Sequence, residues 1–66
     1  MTNTKIKLGQ IIRSKRKEIK MTQIQLAYEA GCTITTINTI EKGRANPTLN
    51  TLIYIADVLE IDLFNF

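Results

Sequence analysis

The sequence predicts an all-α fold: a single compact domain of five short helices. Three observations carry that prediction. Apolar residues recur at three- and four-residue steps almost throughout the 66 residues. Threonines stand just before successive apolar stretches, and Gly31 and Gly43 stand just after two of them. The one tempting strand window, Cys32 to Ile40, spaces its apolar residues three apart rather than two.

The elements follow in order. Met1 to Thr4 is polar and expected to fray. Leu8, Ile11, Ile12, Lys15 and Ile19 obey the helical step, which predicts a first helix from Lys5 to Ile19 with the stem of Lys15 packed and its ammonium reaching water. Thr22 can cap a second helix, Gln23 to Ala30, with Leu26, Ala27 and Ala30 inward and Gly31 ending it. Thr33 can cap a third, Ile34 to Lys42, ended by Gly43. Its Thr and Ile content suits a strand by propensity. However, Ile34, Ile37 and Ile40 lie three residues apart rather than two, and that spacing decides for a helix. After a short loop, Thr48 can cap a fourth helix, Leu49 to Leu59, with Leu49, Leu52, Ile55, Ala56 and Leu59 on its inner face. Asp62 can cap a last turn, Leu63 to Phe66.

Composition excludes several classes. A chain this short buries only about 60% of its unfolded surface, so its core is marginal without further support. With no His and one Cys, neither a metal site nor an internal disulfide is expected, and no cofactor is. Cys32, in the turn, reads as a filler. No apolar run approaches a membrane span, and the N-terminus lacks a signal-peptide core, so a cytoplasmic place is expected. Catalysis is not expected: the one thiol has no His beside it, and no glycine-rich phosphate loop is present. The net charge of +3 is unevenly spread. Residues 1–20 hold seven Lys and Arg against one acid, residues 21–44 balance, and residues 45–66 hold three acids and no base. A polyanion would meet the basic end first, although on charge alone a solvated helix face is the favoured reading.

The informative segment is Thr22 to Gly43: two short helices joined by a tight turn at Gly31, with the small Ala27 allowing them to cross closely. This is a helix-turn-helix unit, whose second helix can enter a major groove. With Leu8-Gly9, Ile12-Arg13, Arg16, Thr22-Gln23, Leu26-Ala27, Gly31, Ile37, Ile40-Glu41-Lys42-Gly43, Asn46-Pro47, Leu52, Ala56 and Leu59, the chain resembles the lambda-repressor-like (Cro or xenobiotic-response-element type) DNA-binding family from Leu8 to Phe64. Short regulators of restriction–modification systems and of mobile elements look like this.

The resemblance implies roles. Gln23 matches a phosphate-backbone contact at a helix N-terminus, and the third helix matches the recognition helix. With Ile37 and Ile40 inward, a step of about 100° per residue turns Thr35, Asn38, Thr39 and Lys42 outward, with Ile34 to one side. The expected base readers are therefore Ile34, Thr35, Asn38 and Thr39, and further phosphate contacts are Arg13, Lys42, Arg44 and Asn46. This face lacks Gln, Arg and Lys at the central reading positions that many relatives have, so phosphates should supply much of the affinity. Glu41 turns partly inward and needs a partner, which the family supplies from the first helix at the position of Arg16.

Apolar surface is left over. Ile53, Tyr54, Leu63, Phe64 and Phe66 are expected to form a two-fold homodimer interface, with residues 60–66 as the dimerisation segment. A dimer would bind a palindromic operator in double-stranded DNA. No small-molecule effector module is visible. The expected function is a sequence-specific transcription regulator, a repressor or autoregulator. The alternative is a protein-binding module on the same scaffold, such as an antitoxin or anti-regulator.

Overall fold

The computed structural model describes residues 4–62, and within them the chain forms α1 (Thr4–Glu18), α2 (Gln23–Ala30), α3 (Ile34–Glu41) and α4 (Leu49–Leu59). The expected five helices are thus corrected to four among the described residues. The proposed last turn, and with it Leu63, Phe64 and Phe66, lies outside them. Thr4 belongs to α1 rather than to a frayed end, and Lys42 caps α3 rather than continuing it.

The helix starts follow from side-chain chemistry. The Thr22 hydroxyl accepts from the Gln25 amide at 3.0 Å, while Gln25 Oε1 accepts from the Thr22 amide at 2.7 Å, a reciprocal capping box. Thr33 and Thr48 accept from the amides of Thr36 and Thr51 at 3.1 and 3.2 Å. The helix ends share one backbone device. Lys20, Gly31, Gly43 and Glu60 adopt left-handed φ values of 60°, 74°, 72° and 56°. The following amide then reaches back five residues: Met21 to the Arg16 carbonyl, Cys32 to Ala27, Arg44 to Thr39 and Ile61 to Ala56, at 2.9 to 3.0 Å. Two of these positions are glycines; Lys20 and Glu60 adopt the same conformation against the steric preference of a side chain.

The core gathers Ile12 from α1, Leu26, Ala27 and Ala30 from α2, Ile37 and Ile40 from α3, and Ile55 and Leu59 from α4. Each of the larger members contributes about 1.5–3 kcal/mol through burial. Leu8, Met21, Cys32, Ala45, Leu52, Val58 and Ile61 pack around it. Two expectations are corrected here. Leu49 is exposed, because it sits in the first turn of α4 ahead of the region where the helices converge. The stripe of α1 is also rotated: Ile19 is exposed, and the buried residues are Gly9, Ile12 and Arg16.

Gly9 explains the rotation. A Cβ on it would lie 2.3 Å from the Ile40 carbonyl oxygen and 2.9 Å from that of Glu41. The backbone of α1 therefore rests directly on the C-terminal end of α3, an approach only glycine permits. Ala27 is buried as expected, but this backbone-to-backbone approach belongs to Gly9.

Candidate nucleic-acid interface

The site is built around Glu41, the last residue of α3. Its side chain is 3% exposed, against 10% for that of Arg16. Arg16 grips it bidentately, with Nε donating to Oε2 at 2.6 Å and Nη2 to Oε1 at 3.0 Å. Its third nitrogen, Nη1, donates to the Met21 carbonyl at 2.8 Å, tying the turn after α1 to the same pair. The Glu41 hydrogen bonds and charge raise the pKa of Arg16 further above its ordinary value, and desolvation opposes this only in part. No buried side-chain nitrogen or oxygen among the described residues lacks a partner. The ion pair read from the sequence is therefore present, and it joins α1 to α3.

Two further side chains extend the pair toward the surface. Gln23, the first residue of α2, donates from Nε2 to Glu41 Oε1 at 3.0 Å. Asn38 on α3 donates from Nδ2 to Gln23 Oε1 at 3.4 Å. Arg13, Gln23, Asn38, Glu41 and Lys42 line one open cleft of about 290 Å³. Arg13 and Lys42 are exposed and can supply cations to an anion there. Thr22 takes the Gln25 amide, which leaves the Gln23 and Ile24 amides without a helical partner at the mouth of α2. A phosphate is the anion that such a helix start and two flanking cations suit.

Beside the cleft lies the outward face of α3. Ile34 and Thr35 are exposed, while Asn38 and Thr39 are half-buried. Thr39 spends its hydroxyl on its own helix, donating to the Thr35 and Thr36 carbonyls at 2.9 and 3.1 Å. Its proton is thereby engaged, while its oxygen can still accept and its methyl group can still pack. Arg44 and Asn46 are exposed in the loop after α3 and are not part of the cleft wall. Two members of the site were not foreseen from sequence: Gly9, which seats α3, and the bond from Gln23 to Glu41. The Leu8-Gly9 pair was visible in the sequence, but only the packed backbone shows what the glycine is for.

Ile53 and Tyr54 are exposed on α4, 36% and 56%. The other expected interface residues, Leu63, Phe64 and Phe66, lie outside the described residues. Cys32 is half-buried, with burial pushing its thiol pKa up, and so holds little thiolate. Among the described residues, no helix is long and apolar enough to cross a membrane.

Comparison with known proteins places this geometry. The chain is 38% identical over 58 residues to the cryptic phage CTXphi transcriptional repressor RstR of Vibrio cholerae serotype O1, covering 88% of this chain and 52% of that one. It is 43% identical over 56 residues to the immunity repressor protein of Bacillus phage phi105, covering 85% and 39%. It thus spans about half the length of the curated relatives it matches. The crystal structure of the restriction-modification controller protein C.AhdI from Aeromonas hydrophila superposes with a TM-score of 0.84 at 28% identity, covering 88% of each chain. A family model described as helix-turn-helix matches residues 12–66, and the chain belongs to that helix-turn-helix family.

Proposed function

We propose that this chain is a DNA-binding transcription regulator, of the repressor or autoregulator kind, acting by binding rather than catalysis in the compartment that holds its DNA, a cytoplasm. In this reading α3 enters the major groove. Ile34, Thr35, Asn38 and Thr39 meet base edges, while Arg13, Gln23, Lys42, Arg44 and Asn46 meet phosphates. The observation that carries it is the convergence, on one surface, of the outward face of α3, the open amides of α2 and two exposed cations. The repressors among its relatives support the same reading. Two copies, paired through Ile53, Tyr54 and the segment 60–66, would set two α3 helices about 34 Å apart on a palindromic operator.

The test is fluorescence anisotropy on duplexes selected from a randomised pool, at several salt concentrations. Arg13→Ala and Lys42→Ala should each lower the salt slope by about one. Thr35→Ala should cost about 1–3 kcal/mol on the selected duplex and far less on a scrambled one. Equal losses on both duplexes would remove Thr35 from base readout, and failure to select any duplex would end the proposal. Sedimentation at micromolar concentration tests the pairing: a monomer whose DNA affinity is unaltered by Tyr54→Ala would exclude this dimer.

A further inference from the structure

We propose that Gln23 is a specificity-determining residue: it fixes the donor–acceptor face that Asn38 shows to DNA, so that the buried Arg16–Glu41 pair favours adenine over guanine at one position of each half-site. This rests on the reading of α3 as the helix that enters the groove.

The polarity begins at Glu41. Its carboxylate, held by Arg16 Nε and Nη2, offers acceptors only. The Gln23 atom 3.0 Å from Oε1 must therefore be the donor Nε2. The amide oxygen then occupies the other arm of Gln23, and the Asn38 atom 3.4 Å from it must be the donor Nδ2. Reversing either amide would bring two acceptors or two donors together. A charged pair inside the protein thus dictates, through two amides, the orientation of a side chain on the outer face of α3.

The consequence is chemical. An Asn amide has two N–H donors and one acceptor oxygen. One N–H is committed to Gln23, which leaves Oδ1 and a single N–H for the groove. Adenine presents the N6 amino donor beside the N7 acceptor and matches that pair. Guanine presents two acceptors, O6 and N7, and needs two donors, one of which is already spent. Holding the amide beforehand also removes part of the ordering cost that a free asparagine would meet on binding. The Asn38 link, at 3.4 Å, is the longer of the two amide links. Thr39 cannot supply the donor of that adenine-matching pair, because its hydroxyl proton is engaged by its own helix.

The experiment uses duplexes selected by the wild-type chain from a randomised pool, each half-site position then changed singly from A·T to G·C. The wild type should prefer adenine about tenfold at one position, and Asn38→Ala should abolish that preference. Gln23→Met, of similar size and without hydrogen bonds, should weaken binding to every duplex through the phosphate contact. At the Asn38 position alone it should also bring the adenine-to-guanine ratio to within about twofold. A uniform loss with the ratio intact would confine Gln23 to the phosphate and overturn the proposal. Asn38→Ala retaining every base preference would instead remove Asn38 from readout, while an inability to select any duplex would remove groove reading itself. A second readout is independent of DNA. In the folded free protein, Gln23→Met should shift the Asn38 side-chain amide resonances in an amide-detected NMR spectrum; unaltered resonances would overturn the proposal by themselves.

Discussion

Two of the helix crossings in this molecule are held in opposite ways. Where α2 meets α4, the participants are Leu26, Ala27, Ala30, Ile55 and Leu59 of the buried cluster. Among the described residues, no side-chain hydrogen bond or ion pair joins these two helices. Where α1 meets α3, a glycine lies against two backbone carbonyls and a buried Arg–Glu pair bridges the helices. Apolar burial is non-directional and fixes distance better than angle. A bidentate ion pair and a backbone-on-backbone seat fix both. The α2–α4 crossing thus supplies mainly stability, and the α1–α3 crossing supplies orientation as well.

The comparison can be broken most sharply at Glu41. A domain of this size has a total stability of about 3–10 kcal/mol. Glu41→Ala strands the Arg16 guanidinium and should cost about 3–5 kcal/mol, enough to leave much of the chain unfolded in a thermal melt. The double variant Arg16→Met with Glu41→Leu should recover most of that loss, since an apolar pair can replace a buried ion pair. It should still bind DNA poorly, because Gln23 has lost its anchor. A double variant that binds like the wild type would show that the polar pair does not orient α3.

On the other crossing, Leu59→Ala should cost about 2–5 kcal/mol through lost burial and the cavity left behind. Under conditions where it remains folded, DNA affinity should be close to wild type. Loss of affinity by the folded fraction would mean that α2–α4 packing also sets the angle of α3.

Gly9→Ala is expected to cost about 1–3 kcal/mol, because the added methyl meets backbone oxygens rather than a side chain that can turn away. The ordinary helical gain of about 1 kcal/mol from replacing glycine opposes this. A rise in melting temperature would reject the tight seat. By contrast, Lys20→Gly and Glu60→Gly should each stabilise by about 0.5–1 kcal/mol, by relieving left-handed backbone conformations that side chains resist.

The smallest effect concerns pH and Cys32, near the α2–α3 turn. Burial raises the thiol pKa above its ordinary value of 9.0. The folded chain therefore keeps a proton that the unfolded chain releases. The associated stability is complete below about pH 9 and is lost as pH rises through the folded pKa. Cys32→Ala should flatten that part of the stability profile measured by urea unfolding; an unchanged slope would assign it to other groups.

The sequence by itself determined the four helices of the described residues and the family. Thr22, Thr33 and Thr48 announce helix starts because a hydroxyl beside a free amide acts within three residues. Gly31 and Gly43 announce ends because a left-handed residue is a local demand. Ile37 and Ile40 are inward by periodicity alone, and the partial burial of Glu41 follows from the same wheel. What only the tertiary structure decided is non-local: the rotation of α1 that buries Gly9 and Arg16 while exposing Ile19, the exposure of Leu49, and the reach of Gln23 to both Glu41 and Asn38. Each depends on where a second helix lies. A periodic pattern gives the direction of a face but not the distance to its neighbour. Between Gly9 and the Ile40 carbonyl that distance is short enough to exclude a methyl group, and it carries α3 with it.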